Sequence, residues 1–369
     1  MADPRLPSAP APPAPARRAR RAFGILLGLL AVTFVLSPVV GSVPTPPGDL
    51  VFFLVRALEG SPVGPGGCPV PVYAGGANVP CLVVERVLLD SRLPEMFLAA
   101  LVGAALALAG ATLQGIFRNP LGDPYLLGVS SGAALGASAL FLLGVGAALG
   151  SIYLPALAFL GAMGTAALVL LAARSPRTST ETLLLTGVAL SSFFGALIAL
   201  FISLRPQSAL LPLTFWILGS FGGATWPQVE LVLGGTLLAG TLLALHGRDL
   251  NVLQLGEETA RGLGLSPPAI QRRLLLLASL VTAVAVAFNG IIGFVGLISP
   301  HVVRRLQGPD YRALLPLSAL FGAIFLVLAD DLAESLLGGG SLLPVGVVTS
   351  FAGAPFFLYV LYRRRRGLR

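Results

Sequence analysis

Ten apolar stretches, separated by polar or glycine- and proline-rich segments, dominate the sequence: residues 23–40, 94–116, 124–146, 152–173, 182–203, 227–246, 269–290, 292–307, 313–335 and 344–362. A run of about 20 apolar residues crosses a bilayer as a helix, because a helix satisfies its own backbone polar groups where no water is at hand. The chain is 55% hydrophobic and only 11% charged, with a mean hydropathy of +0.88, whereas soluble domains carry roughly a quarter charged residues. The expected fold class is an all-α polytopic membrane protein with ten transmembrane helices. A shorter apolar piece at 209–220 is expected to be a half-helix at one interface. The 45 glycines suit close helix–helix approach in lipid.

All 24 basic residues are arginine. Without lysine there is no GK[ST] phosphate-binding loop, so any ATP use must fall to another polypeptide. Arg56, Arg86, Arg92 and Arg205 fall on one predicted face; all the other arginines fall on the opposite face. That asymmetry places both termini in the cytoplasm. It explains the net charge of +8 as a topology signal, with no nucleic-acid partner. The two histidines, His246 and His301, and the two cysteines, Cys68 and Cys81, have no metal-ligand spacing, so no metal site and no catalytic residue is expected.

Residues 1–21, rich in proline and alanine and ending in Arg17–Arg21, read as a disordered cytoplasmic tail. Residues 22–362 form the membrane domain, and 363–369 a basic cytoplasmic tail. The 41–92 segment reads as an extracytoplasmic loop, where Cys68 and Cys81 are equally compatible with a disulfide and with two free thiols.

None of the 16 acidic residues falls mid-span. Ion-coupled transporters keep ionisable groups at depth despite their cost, and a membrane-embedded enzyme needs a paired acid, base or metal there. The secondary transporter therefore stands as the alternative to a transporter driven by a separate ATPase.

The longest polar interruption of the C-terminal half, 248–266, reads as two short helices. Leu250, Val252, Leu253 and Leu255 give the first an apolar side. Gly256 permits a bend, Glu257 and Glu258 favour a helix start, Arg261 lies four residues after Glu257, and Gly262 and Gly264 end the second helix. Asn251 lies within the first. A helix–bend–helix between two spans is a docking surface for a soluble partner.

Several stretches point together: Arg92-Leu93-Pro94; AGATLQGIFRNPLGDPYLLGVSSGAALGA from Ala109; WILGSFGG from Trp216; GIIGFVGLISPHVVRRLQGPDYR from Gly290; and LPVGVVTSFAGAPFFLYVL from Leu343. In order and spacing they resemble the permease subunits of ABC importers for iron–siderophore complexes, haem and cobalamin, the FecCD/BtuC type. The resemblance implies a type II importer permease fold working as a homodimer in the bacterial inner membrane. It also implies two cytoplasmic ATPase subunits, which would bind ATP and Mg, and an extracytoplasmic binding protein, besides membrane lipid. The chain itself would hold no cofactor. Leu250, Asn251, Leu253, Leu255, Gly256, Glu257, Glu258, Arg261, Gly262 and Gly264 then form the element that seats in the ATPase, and Ser179, Thr180 and Glu181 match the cytoplasmic gate. Within the motifs, the small residues of 130–137 suit either tight packing or a wide substrate path, the glycines at 290, 293 and 296 permit close helix contact, Pro300 is expected to distort a turn, and His301 is read as structural.

The outer face departs from the family pattern. Glu95 stands where the RLPR motif would end in arginine, Glu334 stands where another arginine is expected, and Leu342 replaces the usual glutamate of the final loop. Two readings follow for the docking residues Arg92, Glu95 and Glu334. Either the binding protein carries a swapped charge pattern, with Arg or Lys opposite the two glutamates and an acid opposite Arg92, or the acids pair within the chain, with Arg86 or Arg92.

Overall fold

A computed structural model describes residues 15–40, 47–59, 72–74, 77–143, 152–172, 180–204, 211–337 and 343–366. In chain order these form α1 (Pro15–Leu36), α2 (Pro47–Glu59), a hairpin of β1 (Val72–Ala74) and β2 (Ala77–Val79), α3 (Cys81–Arg86), a π-helical stretch Val87–Arg92, and α4 (Leu93–Ile116). Then follow α5 (Val129–Leu143), α6 (Tyr153–Ala172), α7 (Thr180–Ser203), α8 (Leu211–Leu218), α9 (Trp226–Leu245), α10 (Gly247–Gln254), α11 (Glu257–Gly262), α12 (Pro267–Asn289), α13 (Val295–Gln307), α14 (Tyr311–Leu337) and α15 (Val345–Arg366).

Among the described residues eight helices are long and apolar enough to span a membrane: α1, the continuous α3–α4 helix, α6, α7, α9, α12, α14 and α15. The other two expected spans are shorter. The stretch 124–146 begins with a 3₁₀ turn at Pro124–Leu127 and yields the 15-residue α5. The stretch 292–307 yields the 13-residue α13. The half-helix is α8, eight residues long.

Three boundaries differ from the sequence reading. Helix α1 starts at Pro15, so Arg17–Arg21 are helical where a tail was expected; alanine and arginine are good helix formers and carry the helix past the apolar run. Helix α15 likewise runs through Arg363–Arg366. The 41–92 loop contains helices α2 and α3 and the antiparallel pair Val72↔Val79, Tyr73↔Asn78, Ala74↔Ala77, a small exception to an all-α fold. The pairing state of Cys68 lies outside the described residues.

Helix α4 is the axis of the bundle. Of its most apolar window 83% is buried inside the chain, against 22% for α1 and 17% for α7. It is apolar on every side, the mark of a helix enclosed by protein, and α9, α12, α13 and α14 surround it. Glycines set the spacing. A Cβ on Gly103 would stand 2.2 Å from Gly322 O, and one on Gly110 would stand 1.9 Å from Gly296 O, so α4 meets α14 and α13 backbone to backbone. On α5, Gly132 and Gly136 face Gly161 and Leu157 of α6 in the same way, so the small-residue face of 130–137 serves packing. Of the three spaced glycines, Gly290 and Gly296 sit against neighbouring backbone while Gly293 faces open space.

Pro300 lies inside α13 without ending it. A proline lacks the N–H that would bond to the carbonyl four residues back, here Gly296. The Gln114 side chain of α4 donates instead to Gly296 O and Leu297 O, each at 3.4 Å. A neighbouring side chain thus supplies a donor to the carbonyl that the proline leaves without one.

Candidate docking element and the polar networks at the two ends

The α10–α11 element has an anchored side and a free side. Leu250 and Leu253 are fully buried. Leu250 fills the notch left by Gly115 of α4, where a Cβ would lie 2.7 Å from Leu250 Cδ2. Of the leucines assigned to the element that seats in the ATPase, Leu250 and Leu253 instead face the bundle. Polar side chains fix the same side. Gln254 Nε2 donates to Gly115 O at 2.8 Å. Asn251 Nδ2 donates to Asp310 Oδ1 at 2.7 Å, and Asn251 Oδ1 accepts from the Tyr311 N–H at 2.9 Å. Asp310 also accepts from Arg312, with Nη2 at 2.7 Å, and that bond holds its carboxyl down at about 2.

The bend works as the glycine requires. Gly256 has φ 108° and ψ 155°, a region that disfavours side chains, and Gly264 has φ 83°. Between them Ala260 is buried, while Glu257 and Arg261 face solvent and pair at 3.4 Å. Leu255 and Leu263 are 63% and 62% exposed. Two exposed leucines flank a short helix whose Glu257, Glu258 and Arg261 are also exposed.

Beneath the element lies a network only partly legible beforehand. Arg304 donates through Nη1 to Gln114 Oε1 at 3.0 Å and through Nη2 to the Tyr311 hydroxyl at 3.3 Å. Gln114 thus links α13 to α4, and Asn251 and Tyr311 link both to α10. The signal for Gln114 was present, as a lone amide in an otherwise apolar span. Tyr125 had no such signal. Its hydroxyl donates to Ile292 O at 2.6 Å and accepts from the Ile292 N–H at 2.9 Å, tying the turn after α4 to the segment before α13. Asp123 positions that tyrosine by accepting from its N–H at 2.8 Å, and burial pushes the Asp123 carboxyl up to about 6.

At the other end of the bundle the docking residues come together. Arg92 pairs with Asp331 at 2.9 Å and with Glu334. It donates to Ser37 O at 3.1 Å and to Val40 O as well. Ser37 Oγ donates to Asp331 at 2.7 Å. Glu95 accepts from Ser91 Oγ and from the Gly223 N–H, both at 3.2 Å. Arg92, Glu95, Asp330 and Asp331 are all buried. Of the two readings offered for these acids, the arrangement within the chain pairs Glu334 with Arg92. Of the gate residues, Ser179 lies outside the described residues, Thr180 starts α7, and Glu181 is exposed in its first turn.

A glycine-packed bundle with eight apolar spans among the described residues, and a polar element anchored between two of them, defines a multi-pass membrane protein. The chain belongs to the FecCD transport family, whose model matches residues 29–363. It is 44% identical over 334 residues to an ABC transporter permease protein of Bacillus subtilis, YvrB, covering 86% of this chain and 93% of the relative. It is 40% identical over 309 residues to the cobalamin import permease BtuC of Halobacterium salinarum, covering 80% and 82%. It is 39% identical over 280 residues to the hemin transport permease HmuU of Yersinia pestis, covering 75% and 83%. A solved chain described as a metal-chelate type ABC transporter in an inward-facing conformation superimposes with a TM-score of 0.76 at 32% identity, covering 93% of this chain and 99% of that one. The protein is a FecCD/BtuC-type ABC permease, a transporter component, and the ion-coupled alternative is set aside.

Proposed function

We propose that the chain is the membrane subunit of an ATP-driven importer of a metal chelate, with an iron–siderophore complex as the cargo and haem or cobalamin as the nearest alternatives. It works as a homodimer of ten-span subunits in the inner membrane with both termini cytoplasmic. Two ATPase subunits, which bind ATP and Mg, dock on the α10–α11 elements, and a binding protein docks at the opposite face. ATP closes the ATPases, the elements carry that motion into α4, α13 and α14, and the bundle changes the side to which its path opens. Nucleotide supplies the differential contact that shifts the two populations. Ser179, Thr180 and Glu181 act as the cytoplasmic gate.

The observation that carries this reading is the two-sided α10–α11 element. Its Leu250, Leu253, Asn251 and Gln254 lock it to the bundle, while Leu255 and Leu263 stay exposed. A rigid mount is what a lever needs to transmit force. At the outer end Glu334 is only partly buried beside Arg92, and an acid that reaches solvent there suits a binding protein presenting Arg or Lys.

Uptake by proteoliposomes holding permease, cognate ATPase and binding protein tests the reading, with labelled ferric siderophore, haem and cobalamin offered in turn. ATP-dependent accumulation of one is expected. Accumulation driven by an imposed ion gradient and indifferent to ATP overturns it.

A further inference from the structure

A crevice of about 570 Å³ opens between the last turns of α6 and the first turns of α12. Its walls include Ala167, Leu170, Leu171 and Leu276, and Arg272 and Arg273 line it as well. The sequence of α12 puts them there. Ile270 and Leu274, four residues apart, are buried on the bundle side, so Arg272 and Arg273 fall on the outward side and are exposed. Arg272 Nε donates to Pro268 O at 3.2 Å, which steadies the guanidinium. Neither arginine forms an ion pair among the described residues.

We propose that this crevice holds one anionic glycerophospholipid, with its phosphate on Arg272 and Arg273 and an acyl chain along Leu170 and Leu276. Leu276 lies about 6 Å deeper along the helix than Arg272, one turn on. Charge and apolar wall are therefore stacked in the order in which a lipid presents phosphate and chain. A soluble acidic partner or free phosphate would meet the guanidiniums and leave the apolar slot empty. Basic recesses between transmembrane helices are suited to anionic head groups. A groove of about 580 Å³ lined from α1, α4, α9 and α14, including Phe34, Phe97 and Leu237, has no charged side chain in its lining and offers no means of selecting a head group. The lipid would sit at the start of α12, four residues from the end of α11, and so brace the helix that follows the docking element.

Native mass spectrometry of the purified full chain tests the proposal, with phosphatidylglycerol and phosphatidylcholine of matched chains offered in equal amounts. Wild type is expected to retain one phosphatidylglycerol in preference to phosphatidylcholine by roughly tenfold or more, and the Arg272→Gln/Arg273→Gln variant to lose that preference. Arg272→Lys/Arg273→Lys should keep it. Ala167→Trp, which fills the slot, should lower retention with the arginines intact. Equal retention of the two lipids by wild type overturns the proposal, as does a preference that survives the double glutamine change. Displacement of the lipid by millimolar inorganic phosphate reduces the site to phosphate binding and overturns it too. If the glutamine variant does not fold, the lysine and tryptophan variants decide.

Discussion

Arg92, where α4 begins, and Asp331, near the end of α14, meet at 2.9 Å with both side chains almost wholly withdrawn from solvent. Glu334 occupies the other terminal nitrogen of the same guanidinium. A buried pair adds little net stability, but removing one member leaves a charge uncompensated. Arg92→Met is therefore expected to destabilise the permease by roughly 3–5 kcal/mol. Adding Asp331→Asn and Glu334→Gln to it should restore much of the loss. Thermal unfolding in nanodiscs measures both, and a single variant as stable as wild type would show that the pair is solvated.

Leu255 and Leu263 are exposed on the free side of the α10–α11 element, so changing them should spare the fold. Leu255→Asp and Leu263→Asp are each expected to weaken ATPase docking about tenfold or more, the loss typical of an apolar anchor, with an unchanged melting temperature. Leu250→Ala should do the reverse, costing about 2–5 kcal/mol of stability through a cavity beside Gly115. Surface plasmon resonance against the ATPase, paired with thermal unfolding, separates the two effects. Equal docking by all three variants would remove the element from the interface.

The class of the fold was legible because lipid leaves few options. Apolar runs marked the eight helices long enough to span among the described residues, and the polar break at 248–266 is the element found between α9 and α12. Which side of that element faces the bundle was not legible, because Leu250, Leu253 and Leu255 look alike in sequence. Only the notch at Gly115 and the hydrogen bonds from Asn251 and Gln254 separate them. The outer acids left two readings open in sequence for a related reason. In sequence Glu334 stood at an expected docking position, while in space the ends of α4 and α14 bring it against Arg92. Gln114 was visible as an oddity, but its task of serving the carbonyls near Pro300 depends on α13 crossing α4 at Gly110.

Two aspartates outside the spans should titrate in opposite senses. The Asp310 carboxyl is held at about 2 by Arg312, below its ordinary value. Its contribution is present above the unfolded value near 3.8 and is lost as pH falls toward 2. The anchoring of α10 should therefore persist at pH 5. The Asp123 carboxyl is raised by burial to about 6, so the folded state binds more protons than the unfolded one between about 4 and 6, and stability falls as pH rises through that window. Asp123→Asn keeps an acceptor for the Tyr125 N–H and removes the titration. Melting temperatures from pH 4 to 7 should slope downward in wild type relative to the variant, and parallel curves would mean that Asp123 is solvated.

Gly110 and Gly103 set how closely α4 approaches its neighbours, and the two positions predict the severity of the smallest possible change. On Gly110 a Cβ would stand 1.9 Å from Gly296 O and 2.5 Å from Gly296 Cα. The obstacle is backbone, so no rotamer change relieves it, and α13 must move away from α4. That shift also pulls Gly296 O and Leu297 O from the Gln114 amide and Arg304 from the Gln114 carbonyl, which loosens the network under the docking element. Gly110→Ala is thus expected to lower both stability and ATPase coupling, by about 1–3 kcal/mol in the former. Gly164→Ala is the matched control, since nothing lies within 4 Å of a Cβ there, and alanine in a helix should be neutral or slightly stabilising. Unfolding and ATP-driven uptake measured on both variants, with Gly110→Ala matching its control, would show that α4 and α13 are farther apart than their backbones indicate.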